Sequence, residues 1–175
     1  MNKNTFLVSL AISIIILIAS IFYFGNYIYN ATPSFPIGLY KLNKKDKTIK
    51  RGKLILICPP ATKLFYKANS KGYVSKGYCP SRLKPLIKKI AATSKDYISI
   101  SKFVYINGIK QPKSNVYKKD SQGNSLEFTD KKNYYLKRNE IFLLSDYNKK
   151  SFDSRYFGPI DKSLIIGAIE PILVW

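Results

Sequence analysis

Histidine is missing from all 175 positions of this chain. Its absence excludes a Ser-His-Asp triad, a Cys-His dyad and every zinc site built on imidazole. Cysteine is nearly missing too. Cys58 and Cys79 make up the whole supply, and two thiolates alone cannot close a structural zinc site. No metal and no cofactor are expected. Acid is scarce: 10 Asp and Glu stand against 30 Lys and Arg, a formal net charge of +20. Such a charge is a natural nucleic-acid footprint. The lysines, however, are scattered (Lys44, Lys45, Lys47, Lys118, Lys119, Lys131, Lys132) rather than gathered into a helix stripe. Attraction to anionic lipid headgroups, or a lysine-rich compositional bias, explains them with fewer assumptions. Internal repeats, low-complexity linkers and long soluble helices are also missing.

What is present begins with an uncharged run of twenty residues, Thr5 to Phe24. At about 1.5 Å per residue it spans about 30 Å, the hydrocarbon thickness of a bilayer. A cleavable signal peptide is the competing reading, with Ala19-Ser20 as a mimic of a cleavage site. Signal peptides usually carry an apolar core of only about 7–15 residues, so the length favours an uncleaved anchor. Phe22, Tyr23, Phe24, Tyr27 and Tyr29 crowd the far end, where an interfacial aromatic belt is expected. Lys3 precedes the run and no Lys or Arg occurs from Asn4 through Tyr40. The positive-inside rule then puts the N-terminus in the cytoplasm and the body outside. The expected division is a cytoplasmic N-terminus at 1–4, a transmembrane anchor at 5–24 and an exported domain at 25–175. A body placed there meets the lipid bilayer and no nucleic acid. Two cysteines in an exported domain suggest a Cys58–Cys79 disulfide; two unpaired buried thiols are the alternative.

Beyond the anchor the pattern is that of strands. Asn26 to Pro36 reads as irregular, and a turn at Lys50-Arg51-Gly52 leads into the apolar run Leu54 to Cys58. Thr62 to Asn69 has weak helical character, and Ser70 to Arg82 is loop-like. Leu86 to Ala92 reads as a core strand and Tyr97 to Ile106 as an alternating one. Asn107-Gly108 is a strong hairpin signal before Ile109. Gln122-Gly123-Asn124 marks a turn before Ser125 to Phe128, and Glu140 to Leu144 and Leu164 to Ile169 complete the set. The expected fold is mainly β: one N-terminal helix, then a β-rich domain of folded sheets or a partly closed barrel.

Three stretches carry candidate chemistry. Ser151, Asp153 and Arg155 alternate, and on an extended strand they would share one face. Asp153 and Arg155 could then pair and leave the Ser151 hydroxyl for another partner. Ser34, beside Pro33 and before Phe35-Pro36, is a candidate nucleophile, with the Thr32 hydroxyl two residues away. A loop serine next to a proline is more often a turn cap. Without histidine the base must be something else, and lysine serves where burial lowers its ordinary pKa of about 10.4. Lys88, between Leu86, Ile87 and Ile90, is placed for that; Lys89 points to the opposite face. A single strand lysine more often snorkels to water.

Taken together, these boxes resemble the type I signal peptidases, and more closely their conjugative-transfer branch, the TraF-type pilin-maturing peptidases. Thr32-Pro-Ser34-Phe-Pro36 resembles the nucleophile box, followed by the Gly38-Leu39-Tyr40 typical of the transfer branch. Arg51-Gly52-Lys53 and the strand after it resemble the strand box, with Lys53 where an acid is usual. Ile87 to Ala92 resembles the general-base box, its usual Gly-Asp ending appearing as Lys95-Asp96. Ser145-Asp146 has Ser145 in place of a usual glycine, and Ser151 to Gly158 is the closest match. Cys58-Pro-Pro60 and Gly77-Tyr-Cys79-Pro80 also resemble the transfer branch.

The resemblance implies a membrane-anchored serine endopeptidase. Ser34 would be the nucleophile and Lys88 the base, with Thr32 and the Ser34 N–H at the oxyanion. Ser151 would orient Lys88, and Asp153 and Arg155 would support the site. The substrate would be a membrane-inserted, pilin-like precursor, and water or an amine of the same chain would resolve the acyl-enzyme. A general housekeeping signal peptidase, or a non-catalytic structural component of the secretion apparatus, is the alternative.

Overall fold

A computed structural model describes residues 2–120, 122–126 and 132–175. The chain opens with helix α1, Lys3–Phe24, which buries none of its residues against the body. It is long and apolar enough to cross a membrane. Its polar interruptions are satisfied internally, since Ser9, Ser13 and Ser20 donate their hydroxyls to Phe6 O, Ser9 O and Ile16 O.

Strands β1 (Tyr27–Asn30), β2 (Gly38–Asn43) and β3 (Leu54–Ile57) follow, then helix α2 (Lys63–Ser70). Next come β4 (Leu86–Ala92), β5 (Tyr97–Ile100), β6 (Val104–Ile106), β7 (Ile109–Lys110) and β8 (Asn133–Tyr135). Strand β9 (Glu140–Leu144), the short helix α3 (Ser154–Phe157), β10 (Ile160–Asp161) and β11 (Ile165–Val174) complete the order. One antiparallel sheet runs β1-β2-β11-β3-β4-β9-β10, and a smaller one runs β7-β6-β5-β8. The fold is mainly β behind one N-terminal apolar helix.

The apolar runs become the central strands of the large sheet. Ile55, Leu56 and Ile57 of β3 and Ile90 of β4 are at most 2% exposed. On one face Ile55, Ile57 and Ile90 pack with Phe65 of α2, Leu143 and Phe157, while Leu56 joins a second cluster with Tyr40 and Ile87; a separate core under the small sheet gathers Ile98, Val104, Ile106 and Phe142. Thr62 caps α2 by accepting from Phe65 N. Asn107 and Gly108, with φ of 52° and 79°, form the two-residue turn joining β6 to β7, as their sequence predicts.

Two expectations need correction. Tyr97 to Ile106 is not one strand: β5 and β6 fold back on each other so that Ile98 faces Ile106. Alternation alone does not reveal the reversal at Ser101–Phe103, which lacks a Gly or Pro signal. Asn26 to Pro36 is not irregular throughout, because Tyr27–Asn30 pairs with Gly38–Lys41 across the intervening turn. Lys95, where the family ends its box with glycine, takes φ of 70°, and the next residue, Asp96, accepts from Thr93 N and Arg51 Nε. Of Ser125 to Phe128, Ser125 bridges to Lys119, while Glu127 and Phe128 lie outside the described residues.

Candidate active site

Ser34 lies in the turn between β1 and β2, and Lys88 at the centre of β4, opposite Ile55 of β3. The fold brings the two together. Lys88 Nζ lies 3.0 Å from Ser34 Oγ and 2.7 Å from Ser151 Oγ, and the two hydroxyls are 3.2 Å apart. Lys88 is 1% exposed. Burial pulls its pKa down to about 8; the Asp153 charge opposes that shift and the Arg155 charge adds to it. An amine that loses its proton near physiological pH, in contact with a hydroxyl, can accept that hydroxyl's proton.

Beneath the triangle lies a buried ion pair. Arg155 Nε and Nη2 each donate at 2.8 Å to the Asp153 carboxylate, and both residues have no exposed surface. Arg155 Nη1 also donates to Lys113 O, Asn115 O and Lys149 O, and Nη2 to Ser151 O. Every donor of this desolvated cation that points inward finds an acceptor, which is what burial of a charge demands. The strand arrangement expected for Ser151, Asp153 and Arg155 is overturned. Asp153 is the N-cap of α3 and accepts from Arg155 N, so Arg155 stands in a helical turn. The cause is the preference of Asp for the cap position, whose oxygen satisfies an otherwise unpaired N–H. The pair forms nonetheless, by Arg155 folding back on its own cap.

Thr32 donates its hydroxyl to Asn30 Oδ1 at 2.8 Å. The Ser34 N–H has no hydrogen-bond partner among the described residues. Thr32, Ser34, Lys88 and Ser151 line a cleft of about 480 Å³ together with Ile28, Tyr78 and Ile87. Cys58 and Cys79 are joined in a disulfide, which ties the end of β3 to the loop whose Gly77 and Tyr78 form one cleft wall. Among the described residues no cluster of His, Cys, Asp or Glu could hold a metal ion.

Three residues at the site escaped the sequence reading. Asn30 and Asn148 carry no motif; Ser145 is signalled only as a serine where the family usually has glycine. Asn30 is 5% exposed and Ser145 1%, and both bond to the turn that carries Ser34. Lys89, one residue from Lys88, pairs with Asp146 on the other face of the sheet.

Comparison with known proteins extends the likeness beyond the site. The family model described as "Signal peptidase, peptidase S26" matches residues 2–175. A plasmid transfer protein TraF of Escherichia coli is 35% identical over 161 residues, covering 91% of this chain and 90% of that protein. A conjugal transfer protein TraF of Agrobacterium tumefaciens is 33% identical over 151 residues, covering 86% and 84%. Among solved structures, a signal peptidase I from Enterococcus faecalis aligns with a TM-score of 0.41 at 20% identity, covering 70% of this chain and 97% of that one. The chain belongs to the signal peptidase S26 family.

Proposed function

We propose that this chain is a membrane-anchored serine endopeptidase that trims an exported, membrane-inserted precursor, a pilin-like subunit of a conjugative transfer apparatus. The observation that carries the proposal is the contact of Ser34 Oγ with the buried Lys88 Nζ in a chain without histidine. Neutral Lys88 takes the Ser34 proton as Oγ attacks the scissile carbonyl. The C–N bond then breaks, the Lys88 ammonium protonates the leaving amine, and water or a substrate amine resolves the ester. Ser151 holds the amine in place through its 2.7 Å contact. The Ser34 N–H faces the oxyanion, and one such donor is worth about 10²–10³ in rate. Thr32 joins it only by releasing Asn30.

Helix α1 supports the anchoring, with Lys3 on the cytoplasmic side and the body on the periplasmic side. The TraF relatives, plasmid and conjugal transfer proteins by name, support the conjugative setting. A substrate strand would lie along the cleft, paired through its backbone.

The test uses the full-length protein in liposomes with a membrane-inserted prepilin, cleavage being followed by product mass. The wild type should cut once, after a small residue, and Ser34→Ala should not cut. Equal cleavage by Ser34→Ala would discard the proposal.

A further inference from the structure

The turn that presents Ser34 is held almost entirely by its carbonyls. Asn30 Nδ2 donates to Thr32 O, Phe35 O and Pro36 O at 3.0, 3.1 and 3.0 Å. Asn148 Nδ2 donates to Pro33 O at 3.1 Å, and the Ser145 hydroxyl donates to Ser34 O. Tyr40 Oη adds a second bond to Pro36 O at 2.7 Å, and the Trp175 N–H donates to Ile37 O. Each carbonyl from residue 32 to residue 37 therefore has a donor from elsewhere in the fold.

Peptide planarity turns these bonds into directions. The carbonyl of residue 33 and the N–H of residue 34 belong to one rigid unit and point opposite ways. Asn148, by holding Pro33 O, thus aims the Ser34 N–H. Ser145 holds the next peptide unit in the same manner, so the Ser34 Cα is fixed between two clamped planes. The two clamps are themselves joined, because the Asn148 N–H donates to Ser145 Oγ at 3.1 Å and the Ser151 N–H to Asn148 O at 3.0 Å. Ser145 N in turn donates to Asp153.

We infer that Ser145 and Asn148 are positioning residues for the nucleophile, setting the direction of the Ser34 N–H and of Oγ through the carbonyls of Pro33 and Ser34. The inference rests on the peptidase reading above. It assigns work to the serine that replaces the family's usual glycine.

Ser145→Ala removes one oxygen atom and Asn148→Ala a half-buried amide, so both variants keep the packed core. With the full-length protein and the liposome-inserted prepilin, each single change should lower kcat about 10-fold and the double change about 100-fold, the scale of a slightly misplaced reacting group. KM should stay within about two-fold. The midpoint of the pH–rate profile should not move, because Lys88 keeps its burial and its bond to Ser151. A merely structural role would lower the unfolding temperature and let water reach Lys88, carrying the midpoint upward; that result overturns the inference, as does an unchanged kcat. Failure of the peptidase reading looks different: Ser34→Ala would then cleave as well as the wild type.

Discussion

Strand β4 places two lysines side by side and sends them into different worlds. Lys88 is 1% exposed, and its hydrogen-bond partners among the described residues are two hydroxyls. Lys89 crosses to the far face of the sheet and meets Asp146, both partners about a third exposed. Each face also has an Asp ion pair, buried Asp153–Arg155 on one side and half-open Lys89–Asp146 on the other. The residue types are nearly the same; solvent makes the difference. Desolvation turns one ammonium into a potential base, whereas the other meets water and a carboxylate.

The contrast breaks first in rate. Lys88→Met, which keeps the volume and removes the amine, should slow precursor cleavage on the order of 10³–10⁴-fold, the upper range for a lost general base. Lys89→Met should stay within about two-fold of wild type. Comparable losses in both variants would end the distinction between the faces.

The ion pairs come next, read in urea unfolding. Arg155→Ala leaves the Asp153 carboxylate buried without its counter-charge, and should cost about 3–5 kcal/mol. Asp146→Ala removes an exposed pair and should cost about 1 kcal/mol or less. Similar losses for the two would mean that burial is not what separates them.

Titration sharpens the picture further. Because Lys88 gives up its proton near pH 8, kcat/KM should rise through that region. The folded pKa lies below the unfolded value of 10.5, so between about 8 and 10.5 the unfolded chain binds more protons and stability increases with pH. Below pH 8 the charge is present in both states and its burial weakens the fold throughout. Lys88→Met should therefore be more stable than wild type near pH 7, by an amount on the order of 3 kcal/mol. The gap should close by pH 10.5, and a gap that stays constant would refute the depressed pKa.

Much of this was legible in the residues themselves. The apolar helix, the runs that became β3, β4 and β9, and the Asn107-Gly108 turn follow from local pattern and backbone preference. Period two alone sends Lys88 and Lys89 to opposite faces. Distance in sequence hid the rest. Ser145 and Asn148 lie more than a hundred positions from the carbonyls they hold, and no spacing rule connects them. Arg155 is hidden for a different reason: one Asp can end a strand or begin a helix, and alternation does not say which.

Helix α1 ends at Phe24 and β1 begins at Tyr27. Two contacts brace that joint. The Phe22 and Tyr27 rings meet edge to face at 6.0 Å, and the Leu42 N–H donates to Asn26 O. With α1 seated across a bilayer as proposed, the joint would act as a ruler. The Ser34 hydroxyl would then be kept at a constant height above the lipid, so a substrate would be selected by how far its scissile bond stands from its own membrane exit as well as by its side chains. A few glycines inserted between Gly25 and Tyr27 would turn that ruler into a tether and scatter the cut.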